Sequence, residues 1–149
     1  MASGGKKELN DYLLNVVCKQ VCEYAANEVF EAINYFLAQY YDEWEPTYYQ
    51  RKNYDLLHSA FKTTAKKVGN SYVAEVGIDY ESLDNYKDAT GWDVVNWANT
   101  KGIHGGYDAS SFGANTAVWD DSIDSTITSG QLLSDCIEFL KGKGIKIIV

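Results

Sequence analysis

Tyr40-Tyr41-Asp42-Glu43-Trp44-Glu45-Pro46-Thr47-Tyr48-Tyr49-Gln50-Arg51 is the stretch on which the fold turns. Five aromatic side chains sit there among three acids, one arginine and the only proline of the chain. Pro46 cannot continue a helix, and the residue before a proline is biased to extended geometry. Everything on its N-terminal side reads as one helix. Leu9, Leu13, Val17, Val21, Tyr24, Val29, Ile33, Phe36 and Tyr40 recur at three- to four-residue spacing, with one gap of five after Tyr24 and no Gly or Pro between them. The spacing predicts a helix from about Glu8 to Tyr41, roughly 50 Å long at 1.5 Å per residue. A small globule cannot cover that length, so part of the helix is expected to meet another subunit.

C-terminal to the proline the period changes. Tyr72, Ala74, Val76, Ile78 and Tyr80 alternate with Val73, Glu75, Gly77 and Asp79, the signature of a half-covered strand. Its expected partner is Leu57–Lys66, with Leu57, Ser59, Phe61, Thr63 and Ala65 on one face and the turn at Lys67-Val68-Gly69-Asn70. Helix competes with strand over 56–64. A short helix is expected from Trp92 to Thr100, ended by Gly102. Residues 105–117, rich in Gly, Ser and Asn, predict a mobile loop anchored by Phe112. Ser129 to Leu140 predicts a last helix, and Ile145–Val149 a β-prone tail. The expected fold is α+β: a long N-terminal helix packed on a small antiparallel sheet, with one or two further short helices. The 149 residues make a single domain, with 1–7 as a flexible arm.

Composition narrows the function. The net charge is −8 and no basic patch is visible, which disfavours tight nucleic-acid or anionic-membrane binding. Tyr is unusually frequent at 12 residues, and it suits half-wet surfaces. No apolar run reaches 18 residues, and Met1–Lys7 has no apolar segment of a secretory leader. Cys18, Cys22 and Cys136 are expected as buried thiols in a reducing compartment, with Cys18 and Cys22 on the helix's apolar side.

Catalytic chemistry is not legible. His58 and His104 lie in no zinc-binding spacing, and no P-loop, GxGxxG or GxSxG is present. His104, between Gly102 and Gly105-Gly106, reads as a turn histidine bonded to a nearby carbonyl. Asp120, Asp121 and Asp124 miss the spacing of a calcium loop and read as a solvated acidic loop. No catalytic, cofactor or metal residue is expected.

The motif order is long helix, Tyr-Tyr-x-x-Trp-x-Pro-x-x-Tyr-x-Arg, Leu56-Leu57-x-Ser59, hairpin, Trp92-x-x-x-x-Trp97-Ala98, then Gly102-Ile-His-Gly-Gly106. Over residues 8–106 this resembles small tail-completion or neck proteins of tailed bacteriophages and prophages, the HK97 gp10-like group. Tyr49-Gln-Arg51 and Leu56-x-x-Ser59 match in type. Lys52-Asn53-Tyr54 departs from the group's Thr-Gly, with one residue added before the leucine. The resemblance implies a structural virion protein, assembled in the host cytoplasm as a ring at the head–tail junction. Its neighbours would be connector and tail-tube proteins, and DNA would pass without being specifically bound. Tyr40, Tyr41, Trp44, Tyr48, Tyr49 and Arg51 are the expected interface residues, since large rings and Arg dominate interface energetics. Two other classes compete: an acidic DNA mimic that blocks a nuclease, and a small hydrolase or metal enzyme around His104 and Asp108.

Overall fold

The computed structural model describes residues 2–45, 55–84 and 88–148. A helix dominates it. α1 (Ala2–Tyr12) passes through a π-helical stretch, Leu13–Cys18, into α2 (Lys19–Asp42). Tyr12 and Cys18, at the two joints, keep right-handed helical dihedrals, so the helix is continuous. It starts six residues before the expected Glu8, and the segment expected as a flexible arm is helical from Ala2. The π stretch widens the helix locally and changes the phase of the apolar stripe. Leu9, expected to be covered, is 56% exposed, as every residue from 4 to 12 is exposed, while Val17 is buried. Cys18 is exposed, against the expectation of a buried thiol; Cys22 and Cys136 are half-buried, and burial raises both thiol pKa values.

Beyond the π stretch the stripe is regular. Ala26, Val29, Ile33, Leu37 and Tyr40 are buried along α2. Val29, Ile33, Leu37 and Tyr40 form one core with Leu56, Ile78, Leu83, Ala98 and Val118. Residues distant in sequence therefore share one apolar spine, and α2 is that spine.

The expected hairpin exists, broken in two. β1 (Ala60–Lys62) pairs with β4 (Val76–Ile78), and β2 (Lys66–Val68) with β3 (Ser71–Val73), all antiparallel. Between Lys62↔Val76 and Lys66↔Val73, Thr63–Ala65 stand opposite only Ala74 and Glu75, so the first arm carries one extra residue. Thr63 holds this bulge with both its groups. Its N–H donates to the Glu75 carbonyl at 2.8 Å, and its Oγ1 accepts from the Glu75 N–H at 2.9 Å. The second arm keeps its alternation, with Tyr72, Ala74, Val76 and Ile78 turned inward and Val73 and Glu75 outward. On the first arm Leu57, Ser59, Thr63 and Ala65 of the expected face are buried or half-buried, and Phe61 alone departs from it. Leu56–His58 is a 3₁₀ turn, and Phe61 is exposed, its ring lying over Gly77 across the ladder.

α3 (Gly91–Asn99) begins with a reciprocal capping box. The Thr90 hydroxyl oxygen accepts from the Asp93 N–H, and the Asp93 carboxylate accepts from the Thr90 N–H at 2.7 Å. The Thr90 hydroxyl and amide bonds hold the Asp93 carboxyl below its ordinary range. Gly102 follows at φ +78, and Ile103–His104 (β5) pairs with Tyr107–Asp108 (β6).

The acidic run is not a loop. α4 (Val118–Ile123) continues as a π-helical turn, Asp124–Thr128, before α5 (Gln131–Gly142). Asp120 and Asp121 occupy the first turn of α4, where carboxylates complement the helix dipole. Asn99 ties the end of α3 to this turn: its Oδ1 accepts from the Asp120 N–H at 2.8 Å and its Nδ2 donates to Asp120 Oδ1 at 3.3 Å. The α+β architecture is as expected, with one more helix than anticipated. The tail at 145–148 forms no strand.

Gly102 is the tightest point of the segment that follows α3. A Cβ there would lie 2.6 Å from Ser110 Cβ and 2.8 Å from the Ala114 carbonyl oxygen, at a φ that L side chains rarely adopt. Gly113 has a similar φ of +85 with nothing near it. Gly102→Ala should lower stability by about 3 kcal/mol in urea unfolding and Gly113→Ala by about 1 kcal/mol. Equal losses would show that the close approach at Gly102 does not exist in solution.

Candidate functional site at the end of the long helix

The last turn of α2 and the residues after it close onto the segment that runs from Gly102 to Val118. Tyr40 is 6% exposed, and its ring stacks on His104 with centroids 4.0 Å apart and planes 1° from parallel. Its hydroxyl donates to the Ile103 carbonyl at 2.9 Å. One side chain therefore binds both residues of β5. Trp44, half-buried, covers the other partners: its ring lies 5.4 Å from His104 and stacks on Tyr107 at 5.8 Å. Tyr41 meets Tyr40 edge-on at 5.9 Å. Tyr107 itself is 54% exposed, so the aromatic cluster runs from the core to the surface.

Glu43 makes the second attachment. Its Oε2 accepts from the Thr116 N–H at 2.9 Å and its Oε1 from the Thr116 hydroxyl. Thr116 is buried, and a buried N–H without an acceptor is costly. The segment between His104 and Val118 is fixed by small residues. Ala109, Ala114 and Ala117 are fully or nearly fully buried, and the Ala109 N–H donates to the Gly102 carbonyl. Phe112, expected as the anchor, is 66% exposed. The close approach in this segment is to Gly102, where an added Cβ would lie 2.6 Å from Ser110 Cβ and 2.8 Å from the Ala114 carbonyl oxygen.

The expected interface residues thus separate. Tyr40 lies in the core of its own chain, not on a partner-facing surface, because its ring fills the space above His104. Tyr41 and Trp44 are half-buried beside it. Tyr48, Tyr49 and Arg51 lie outside the described residues. His104 stands at the Gly105-Gly106 turn, paired across it with Tyr107, and is 4% exposed against the rings of Tyr40 and Trp44. Asp108 Oδ1 accepts from the Ser110 N–H at 3.0 Å and the Ser110 hydroxyl at 2.7 Å, bonds that lower its pKa. That carboxylate therefore orders the local turn. Among the described residues no group of three or more His, Cys, Asp or Glu is placed to hold a metal, and no helix is long and apolar enough to cross a membrane.

Sequence reasoning missed Glu43 and Thr116 as partners. They are 73 positions apart, and nothing local marks a carboxylate as the acceptor for a distant amide. Glu43→Ala should destabilise the chain by about 1–3 kcal/mol, the cost of leaving a buried amide unsatisfied. Thermal unfolding of Glu43→Ala beside Glu45→Ala measures this; equal Tm values for the two variants would remove the attachment.

No curated protein and no solved structure matches the chain. A family model does, over residues 6–142, and it is described as YomN. The matched span runs from the exposed start of the long helix through the aromatic cluster to the end of α5, so it includes every element that builds the site. The chain belongs to the YomN family and is a phage-related protein.

Proposed function

We propose that the chain is a structural virion protein of a tailed phage, one subunit of a ring at the head–tail junction. The observation that carries the reading is the long helix. It runs about 60 Å at 1.5 Å per residue, and its first turns leave Leu9, Tyr12 and Val16 exposed at 56%, 55% and 36%. Those positions share one face, and a row of apolar side chains on a helix needs a partner. Membership of a phage-related family supplies the context, and the motif order resembles that of neck and tail-completion proteins.

Contacts between subunits come from this helical face and from the aromatic residues at and after the end of α2: Tyr41, Trp44, Tyr48, Tyr49 and Arg51. The neighbours are connector and tail-tube proteins. The net charge of −8 suits a channel through which DNA must move. Each phosphate neutralised by Lys or Arg adds salt-sensitive affinity, so a basic wall would hold the genome, whereas carboxylates leave it mobile. The protein works without catalysis: His104 is covered by rings, and Asp108 serves its own turn.

Quantitative mass spectrometry of purified virions tests the proposal. The chain should be present at the copy number of one ring, far below the major capsid and tail-tube proteins, and particle reconstruction should show acidic side chains on the inner wall. Absence from virions, a copy number equal to the tube protein, or a basic inner wall would contradict it.

A further inference from the structure

A concavity of about 250 Å³ lies away from the aromatic cluster, where β4, α3 and α4 meet, with Tyr80, Trp92, Asn96, Asn99 and Trp119 in its lining. Its three rings stay open to solvent, at 58% for Trp92, 41% for Tyr80 and 36% for Trp119. Large apolar groups exposed side by side on a folded chain mark a binding surface.

The rings are held in place by contacts that they do not make themselves. Gly91 packs so closely on the Tyr80–Leu83 turn that a Cβ there would lie 2.0 Å from the Tyr80 carbonyl oxygen. That approach sets the next residue, Trp92, against Tyr80, edge-to-face at 5.5 Å and 75°. The Thr90–Asp93 capping box fixes the helical turn that carries Trp92. The two Asn99–Asp120 bonds fix α3 to the turn of α4 that carries Trp119. Rings locked from behind and open in front are pre-organised for a ligand, which lowers the entropy lost on binding.

The lining defines the ligand. Among the described residues no charged side chain lines the pocket, in a chain whose net charge is −8; Asp93 and Asp120 are bonded to Thr90 and Asn99. The charge match is therefore to a neutral ligand, and the acidic field of the chain repels nucleic acid. The polar groups are amides. Trp92, Asn96 and Asn99 stand at i, i+4 and i+7 on one face of α3. Asn96 is exposed, and its side-chain amide, both donor and acceptor, enters no hydrogen bond among the described residues. Asn99 keeps one Nδ2 proton beyond the one donated to Asp120. Ring faces beside amides complement a sugar: its C–H face lies on the negative face of an aromatic ring, and its hydroxyls donate to and accept from amides. The volume falls below the roughly 300–1,000 Å³ of drug-sized pockets, which suits a ligand as small as a sugar ring. A proline-rich peptide would need a longer groove.

We propose that this pocket binds a neutral saccharide, with Trp92 as the platform under the sugar ring and Asn96 as the group that bonds its hydroxyls. The site is separate from the subunit contacts described above and does not depend on them.

The test places the full chain on an array of neutral and anionic mono- to tetrasaccharides. The neutral sugar bound best is then titrated into isotope-labelled protein and read at the indole Nε1–H resonances. Saturable shifts are expected at Trp92 and Trp119, with Trp44 and Trp97 unmoved. Trp92→Ala should abolish binding, and Trp92→Tyr, which keeps an aromatic face, should retain it. Asn96→Ala should weaken it about tenfold, the effect of roughly one hydrogen bond. Both side chains are exposed, so the circular dichroism spectrum of each variant should be unchanged. No neutral sugar bound, a preference for anionic sugars, shifts confined to Trp44 or Trp97, or binding indifferent to Trp92→Ala would each overturn the proposal. So would capture of a proline-rich peptide in place of a sugar, which would make the pocket a protein-docking groove.

Discussion

The Tyr40–His104 stack is the interaction on which the rest of the structure depends. It occurs at the last buried turn of α2, where the long helix must hand the chain over to the proline-containing link. Tyr40 also donates to the Ile103 carbonyl, so the ring and its hydroxyl together hold the start of the segment that leads to α4. Glu43, one turn further on, holds the end of the same segment through Thr116. A two-stranded ribbon of only two residues per strand has no stability of its own. It exists because α2 supplies both a flat apolar surface and a charged acceptor at the correct distance.

With that segment fixed, Val118 is delivered into the core beside Ile33 and Leu37, and α4 can start. Ser122 and Thr126, buried in this helix and its π-helical continuation, satisfy their hydroxyls on carbonyls four residues back, Val118 and Ser122 respectively. Such back-bonding lets small polar residues sit inside a helix packed against α2, at some cost to its regularity. The helix that the sequence disguised as an acidic loop is therefore a consequence of the clamp at its N-terminal side.

Much of the frame was legible. The apolar positions of α2 from Val29 to Tyr40 recur at helical spacing and the alternation of Tyr72 to Ile78 marks the second arm of the hairpin, whereas α3 ends at Asn99 on an extended Thr100 and Gly102 serves the turn that follows it, closed by the Ile103 N–H on the Thr100 carbonyl, not the helix cap. What escaped has identifiable causes. No residue type announces the π-helical stretch Leu13–Cys18, and the whole start of the helix, Leu9 included, lies uncovered. The bulge at Thr63 depends on a hydroxyl meeting an amide across the ladder. The packing of 105–117 rests on alanines, whose small apolar area is invisible to a reading based on large side chains. Of the candidate site, Tyr40 turns inward, and only a tertiary contact with His104 could reveal that.

This division of labour bears on assembly. The end of the long helix is used to organise its own chain, and its beginning is left uncovered. The chain thus keeps a packed body at one end of the helix and an exposed apolar row, Leu9, Tyr12 and Val16, at the other. The account stands on the segment from Gly102 to Val118 being held by Tyr40 in the isolated chain. Amide hydrogen exchange of the purified protein beside Tyr40→Leu measures this most directly. Protection at Ala109, Thr116 and Ala117, lost in Tyr40→Leu while the β2–β3 amides stay protected, is the predicted result. Exchange at those three amides as fast as in an unstructured chain, or protection unchanged in Tyr40→Leu, would contradict it.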